Sequence, residues 1–197
     1  MVIIFGLGNN DKQYLQTKHN AGRVVLENIM KNINLSFNEK PSYFYARIKL
    51  GSEDVYFLYS GGFMNDSGQV LEAFCKYFKL NFTDEKSKLF ILHDDSDQLE
   101  GNQKLVVGGG SAGHNGIKSI YKHIFNLDLS TEKIWRLKIG IRPSDNKMKS
   151  ETFVLSRFGE NEFVGYKKLA NKLTDLLPLL VSEDLSRLQT IFNSSLT

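Results

Sequence analysis

The chain has 197 residues, 41% hydrophobic and 24% charged, with a formal net charge of +3 and a single cysteine. That composition excludes a disordered, collagenous or disulfide-stapled protein, and no apolar stretch approaches the roughly 20 residues that span a bilayer. Met1 leads into an apolar run without a basic leader, so residues 1–197 read as one cytoplasmic domain, with 160–197 a C-terminal helical segment.

Charge is unevenly placed: from Lys133 to Lys172 ten Lys or Arg face four Asp or Glu, a balance of +6. A basic segment beside an acidic remainder suits a phosphate-rich partner, and a solvated basic face is the alternative. Cys75, between Phe74 and Lys76 in a helical pattern, reads as a small core hydrophobe, and a lone cysteine forms no intrachain disulfide or thiolate cluster.

Val2 to Leu7 reads as a buried strand, short and β-branched. It delivers the chain into Gly6 to Gly22, a glycine-punctuated loop that presents Asn9, Asn10, Tyr14, Thr17, His19 and Asn20. Ligand sites of α/β sheets lie outside strand C-termini, so this loop is the first candidate site. His19 titrates near neutral pH and suits a general base; a hydrogen-bonded structural histidine is the alternative. Val24, Val25, Ile29, Met30 and Ile33 then recur at helical spacing.

Tyr43 to Leu50 alternates, and after a turn at Gly51 to Asp54 a second run covers Val55 to Tyr59, which predicts a hairpin. Gly61 and Gly62 break it, and Phe63-Met64-Asn65-Asp66-Ser67-Gly68 leads into a helix with a stripe of Val70, Phe74, Tyr77 and Phe78. Asp66 with Gln69 resembles a capping box, placing Asn65 just outside the helix, where plain N-capping competes with a functional role. Leu89 to Leu92 is the next strand, emptying into His93-Asp94-Asp95-Ser96-Asp97. Those acids either hold Mg²⁺, or orient a histidine, or form a polar turn; no second acidic cluster completes a hard-cation shell.

Gln103 to Val107 is another strand, followed by Gly108 to Gly116 with five glycines in nine residues. So much glycine suits backbone approaching a ligand, and the following helix, with Ile117, Ile120, Tyr121 and Ile124, aims its first amides at this loop and favours an anion. The spacing matches neither GxGxxG nor GxxxxGK[ST], which argues against a nucleotide. Ile134 to Arg142 alternates, with Arg136, Lys138 and Arg142 sharing one face as a phosphate cradle. Pro143 to Ser150 is a polar connection and Thr152 to Leu155 a short strand. Phe163, Tyr166, Ala170, Leu173 and Leu177 stripe one helix, and Ser182 to Asp184 starts another carrying Leu185, Leu188 and Phe192.

Four predicted strand-to-helix loops thus hold Asn9 with His19, Asn65, Asp94, and His114 with Asn115. A general base needs a carboxylate or amide to set its tautomer, and a polarised carbonyl needs neutral donors. No cysteine sits in these loops, and Ser67 and Ser111 lack G-x-S-x-G, so water activated by His19 is the economical mechanism.

Read together, Gly6-Leu7-Gly8-Asn9 with Tyr14, Thr17 and His19-Asn20-Ala21-Gly22, then Phe63-Met64-Asn65 with Ser67-Gly68, are the first of a series of motifs. His93-Asp94-Asp95 with Asp97, Gly108-Gly109-Gly110 with Gly113-His114-Asn115-Gly116 and Lys118-Ser119, Arg136 to Ile141, and Phe153-Val154-Leu155 continue it. This series resembles the bacterial-type peptidyl-tRNA hydrolases in register from Ile3 to about Phe158. The resemblance implies a single α/β domain around a twisted mixed sheet, a monomer without metal or cofactor, hydrolysing the ester between peptide and tRNA so that the tRNA returns to translation.

On the family's pattern His19 corresponds to the general base and Asp94 to its orienting carboxylate. Asn9 and Asn65 match the amides holding peptide and water, and Asn115 the one stabilising the oxyanion. His114 lines the entrance, Tyr14 and Met64 shape the cleft, and the cationic strand, Lys138 above all, grips tRNA phosphates beside Arg136 and Arg142. Asn9-Asn10-Asp11 replaces the usual Asn-Pro-Gly, Tyr59-Ser60-Gly61-Gly62 replaces Lys-Pro-x-Thr, and Val106 stands where a second lysine is common, with Lys104 two residues away. A non-catalytic RNA-binding module on the same scaffold and a metal-dependent hydrolase using Asp94, Asp95 and Asp97 are the competing functions.

Overall fold

The computed structural model describes residues 1–127, 129–144, 153–181 and 185–193. Seven strands form one mixed sheet: β1 Val2–Gly6, β2 Asn38–Lys40, β3 Tyr43–Leu50, β4 Glu53–Ser60, β5 Lys88–Leu99, β6 Gln103–Val107 and β7 Ile134–Arg142, in the order β2-β3-β4-β1-β5-β7-β6. The centre, β4-β1-β5-β7, is parallel, and antiparallel strands close both edges.

The helices are α1 Ala21–Asn32, α2 Ser67–Phe78, α3 Asn115–His123, α4 Glu160–Asp175, α5 Leu177–Val181 and α6 Leu185–Asn193. They lie on both faces, and β1 shows why its sequence is unbroken apolar: Val2 and Ile4 enter the core under α1 and α4, while Ile3 and Phe5 enter the one under α2 and α3. Burying five consecutive residues requires cover on both sides, which the helices supply.

The layers meet closely at Gly22. A Cβ there would lie 2.0 Å from the Leu92 carbonyl oxygen, so only glycine lets the start of α1 rest directly on β5. That contact brings the end of the first loop beside the residues after Leu92. A Cβ on Gly140 would likewise come within 2.1 Å of the Leu99 oxygen, where β5 slips register against β7 between Asp95 and Leu99.

Several expectations are corrected. The acidic run does not follow a strand: β5 continues through it to Leu99, because β7 pairs with His93, Asp94 and Asp95 and supplies the backbone partners that their low β propensity conceals. Asp66 does not cap forward onto Gln69; its Oδ2 accepts from the Phe63 amide at 3.0 Å and closes a 3₁₀ turn, Met64–Asp66, ahead of α2. Tyr77, placed in the α2 stripe, is 57% exposed, its hydroxyl accepting from Lys40 Nζ at 2.9 Å. Residues 153–155 form a turn instead of a strand; Thr152, most of the 143–150 connection and the 182–184 helix start lie outside the described residues. The edge strand β2 gave no alternation in three residues. At the other edge, Asn193 and Gln189 of α6 satisfy the outward Leu105 amide and carbonyl of β6.

Candidate active site

His19 sits in a 3₁₀ turn, Lys18–Asn20, that opens directly into α1. Its Nδ1 is 2.8 Å from Asp94 Oδ1, and both residues are buried. His114 approaches the same oxygen, with Nε2 at 3.0 Å. The proton positions follow from the partners. His114 caps α3, its Nδ1 accepting from the Gly116 and Ile117 amides, so its proton is on Nε2 and is donated to Asp94. His19 faces the carboxylate through Nδ1, which therefore carries its proton, leaving the Nε2 lone pair available to a substrate.

Burial by itself would push the His19 imidazole down, but the Asp94 charge and the hydrogen bond outweigh it, and the pKa is raised above the usual 6.5. For Asp94 burial would favour the neutral form, yet the two imidazoles hold its carboxyl well below the usual carboxylate range. His93, beside it on β5, differs: fully buried, it donates Nδ1–H to the Asp94 carbonyl at 2.7 Å, and its Nε2 has no partner among the described residues. Burial first, and then the neighbouring His114 imidazole, which would repel a second proton, push it down to about 3, so it stays neutral behind the His114 ring, whose centroid is 4.9 Å away.

These groups open onto a cavity of about 360 Å³ lined by His19, His93, Asp94, Asp95, Ser111, His114, Asn115, Lys118, Arg136 and Lys138, among others. The glycine-rich loop forms its rim, with Gly108, Gly109 and Gly113 at positive φ and Ala112 in the left-handed region at φ 46°. The expectation that α3 offers its free amides to an anion is corrected in part, since the His114 ring takes the Gly116 and Ile117 amides, the second and third of the helix.

Asn9 and Asn65 do not line this cavity. Asn9 is buried, its Oδ1 accepting from the Met64 amide at 2.8 Å, so its remaining side-chain donor is Nδ2. Met64 is buried against Gly116, Asn65 is exposed with its carbonyl bonded by Ser119 Oγ, and Tyr14 is half-buried, its carbonyl bonded by Thr17.

Asn20, Arg23 and Asn10 form a lattice that the sequence left unread. Asn20 Oδ1 accepts from the Asn9 amide at 2.8 Å, and Arg23 Nη1 donates to Asn10 Oδ1 at 2.7 Å and to the Asn9 carbonyl at 3.1 Å. Asn10 Nδ2 also donates to the Gly61 carbonyl, and Asp11 accepts from the Gln13 amide. Side-chain bonds thereby hold a turn that lacks proline. The polar run Asn9-Asn10 ahead of a helix that begins with an arginine in its first turn was the available signal.

The cation face is also revised. Arg136 is 4% exposed and donates to the Gly110 carbonyl at 3.0 Å, bracing the glycine loop from within. Arg142 donates Nε–H to the Ser96 carbonyl and stacks over Phe153. Lys138 Nζ pairs with Asp95 Oδ2 at 2.6 Å and stands directly across the ladder from exposed Lys104, whereas Val106 faces Arg136.

Ligand atoms of His19, Asp94 and His114 lie within 4.8 Å of one another, the spacing of a metal site. Their hydrogen bonds point elsewhere: His114 Nδ1 accepts from amides, so Nε2 must keep its proton and has no lone pair for an ion. Asp95 is likewise occupied by Lys138, Gln98 and the Asp97 amide. The donor set fits a hydrogen-bonded histidine–carboxylate centre better than a cation shell.

A doubly covered mixed sheet with two imidazoles and a buried carboxylate beside a basic edge defines an α/β protein with a histidine–carboxylate site. A family model described as peptidyl-tRNA hydrolase matches residues 3–197. Peptidyl-tRNA hydrolases from two strains of Rickettsia bellii, OSU 85-389 and RML369-C, are each 32% identical over 192 residues, 96% of this chain and 98% of theirs. The crystal structure of peptidyl-tRNA hydrolase from Acinetobacter baumannii superposes with a TM-score of 0.82 at 28% identity, covering 98% of this chain and 95% of that one. An Arabidopsis thaliana 5′-methylthioadenosine nucleosidase, 9% identical with a TM-score of 0.52, shares the fold alone. The chain belongs to the peptidyl-tRNA hydrolase family, of the bacterial type. Among the described residues no helix is long and apolar enough to cross a membrane.

Proposed function

We propose that this chain hydrolyses the ester joining a peptide's C-terminal carboxyl to the 3′-terminal ribose of tRNA, returning free tRNA to translation. The observation that carries the mechanism is His19 held through Nδ1 by a buried Asp94 with Nε2 left as base. Nε2 takes a proton from water as its oxygen bonds to the ester carbonyl carbon. The resulting imidazolium is stabilised by Asp94 and returns that proton to the ribose oxygen as the C–O bond breaks, giving a tRNA hydroxyl and a peptide carboxylic acid, which releases water's other proton to solvent.

Asn115, on the cavity wall, is the donor for the oxyanion, while Asn9, through its remaining amide hydrogens, and Asn65, which lie outside that wall, hold the peptide where it runs past the cavity, with Tyr14 and Met64 shaping the approach. His114, expected at the entrance, holds the Asp94 oxygen as well. Lys138 meets the tRNA phosphates, and Lys104, directly opposite it, takes the part of the lysine absent at Val106. The enzyme acts as a monomer in the cytoplasm, without cofactor. The test is hydrolysis of N-blocked aminoacyl-tRNA beside free aminoacyl-tRNA. Strong preference for the blocked substrate is expected, and equal rates or none on either would overturn the reading.

A further inference from the structure

We infer that Glu162, in the first turn of α4, is a positioning residue for His19, acting through Lys18. Lys18 immediately precedes His19 in the three-residue turn, and its ammonium pairs with Glu162 Oε1 where the side chains are only 6% and 10% exposed. The other carboxylate oxygen, Oε2, accepts from the Gly159 amide at 2.8 Å. One half-buried carboxylate therefore ties the start of α4 to the residue beside His19. The Lys18 ammonium also lies over the Phe153 ring, its Nζ 5.2 Å from the ring centroid.

The backbone around this pair runs in the same direction. Lys18 N–H donates to the Ser156 carbonyl at 2.9 Å, His19 N–H to the Val154 carbonyl at 2.8 Å, and Phe158 N–H to the Gln16 carbonyl at 3.0 Å, with Thr17 bridging Arg157. The segment before α4 is thus a short strap laid antiparallel on the turn that presents His19, and the Lys18–Glu162 pair locks its far end. A turn of three residues cannot rotate one side chain's backbone without moving its neighbours. If Glu162 loses its charge, the buried ammonium must seek water, and the turn swings with it. His19 then leaves its place against Asp94 of β5 and His114 at the start of α3, the groups that face its ring. Lys104 and Lys138, on β6 and β7, are untouched, so the effect separates from tRNA capture.

This inference rests on the reading of His19 as general base, and its test carries a readout that does not. In full-length Glu162→Gln, kcat on N-blocked aminoacyl-tRNA is expected to fall roughly 10- to 100-fold, the scale of a misplaced catalytic group, with KM within about twofold. The His19 imidazole, titrated by NMR, is expected to move down toward 6.5 as its contact with Asp94 loosens. Lys18→Arg, which keeps the pair, should stay within about threefold of the parent, and Lys18→Met, which removes the tie from the other side and leaves Glu162 without its ammonium, should reproduce the loss should Glu162→Gln fail to fold. Unchanged kcat and unchanged His19 titration in the folded variants would overturn the inference. A His19→Ala enzyme of full activity would instead overturn the general-base reading, leaving the NMR coupling between Glu162 and His19 to stand or fall by itself.

Discussion

Replacing Asp94 with Asn isolates the charge at the centre of the site. His19 and His114 both donate to Oδ1, so an amide oriented with its oxygen there keeps both hydrogen bonds and loses only the negative charge. A hydrogen bond to a charged group contributes about 1.5–3 kcal/mol, and the part that matters is the bond strengthened as His19 becomes an imidazolium. At about 1.4 kcal/mol per decade this corresponds to a fall in kcat of roughly 10- to 150-fold. The acid limb of the pH–rate profile moves too. In the parent, His19 must lose its proton to act, and its raised pKa places that limb above 6.5; without the Asp94 charge, burial is opposed only by a neutral hydrogen bond and the limb moves down. Single-turnover hydrolysis of N-blocked aminoacyl-tRNA from about pH 5 to 9, a range that brackets the ordinary imidazole value, measures both effects. An Asp94→Asn enzyme within threefold of the parent and with an unmoved acid limb would refute the argument.

His19→Ala should lower kcat by at least about 10²-fold while binding tRNA as the parent does, measured by filter binding. Lys104→Ala and Lys138→Ala should each weaken tRNA binding and reduce the slope of log K against log salt by about 0.7–0.9, with Lys138→Ala also costing stability because Asp95 loses its partner. Ala112→Gly removes a left-handed non-glycine residue at a strain of about 1–2 kcal/mol, less about 0.5–1 for glycine's backbone entropy. The melting temperature should therefore rise by about 2 °C. His93 stays neutral to about pH 3 while the unfolded chain protonates near 6.5, so stability is full above 6.5 and declines as pH falls between these values. Urea midpoints across that range should flatten in His93→Gln.

Much of the architecture is legible from short stretches of chain. Val2 to Phe5 is apolar at every position, which only a strand covered on both faces can use, and the stripes of Val24, Val25, Ile29 and Met30 or of Tyr166, Ala170 and Leu173 state which side of a helix is buried. The first loop, with His19 ahead of a helix, shows its chemistry because strand, loop and helix are contiguous. Asp94 is harder: its acidic neighbours look like a turn until β7, some forty residues on, pairs with them. Arg136 looks like a phosphate ligand by alternation alone, and only the packed glycine loop turns it inward.

What the sequence by itself determined is the order of the elements and the chemistry on offer in each loop and strand, since periodicity and residue type act over a few positions. Tertiary structure decided which of those groups meet. Two imidazoles share one oxygen of Asp94, Lys104 stands opposite Lys138, and Lys18 reaches Glu162 across 144 positions. The physical reason is that hydrogen bonds and ion pairs are set by distance in space. Here that distance depends on close contacts, such as Gly22 against the Leu92 carbonyl, that no local pattern encodes.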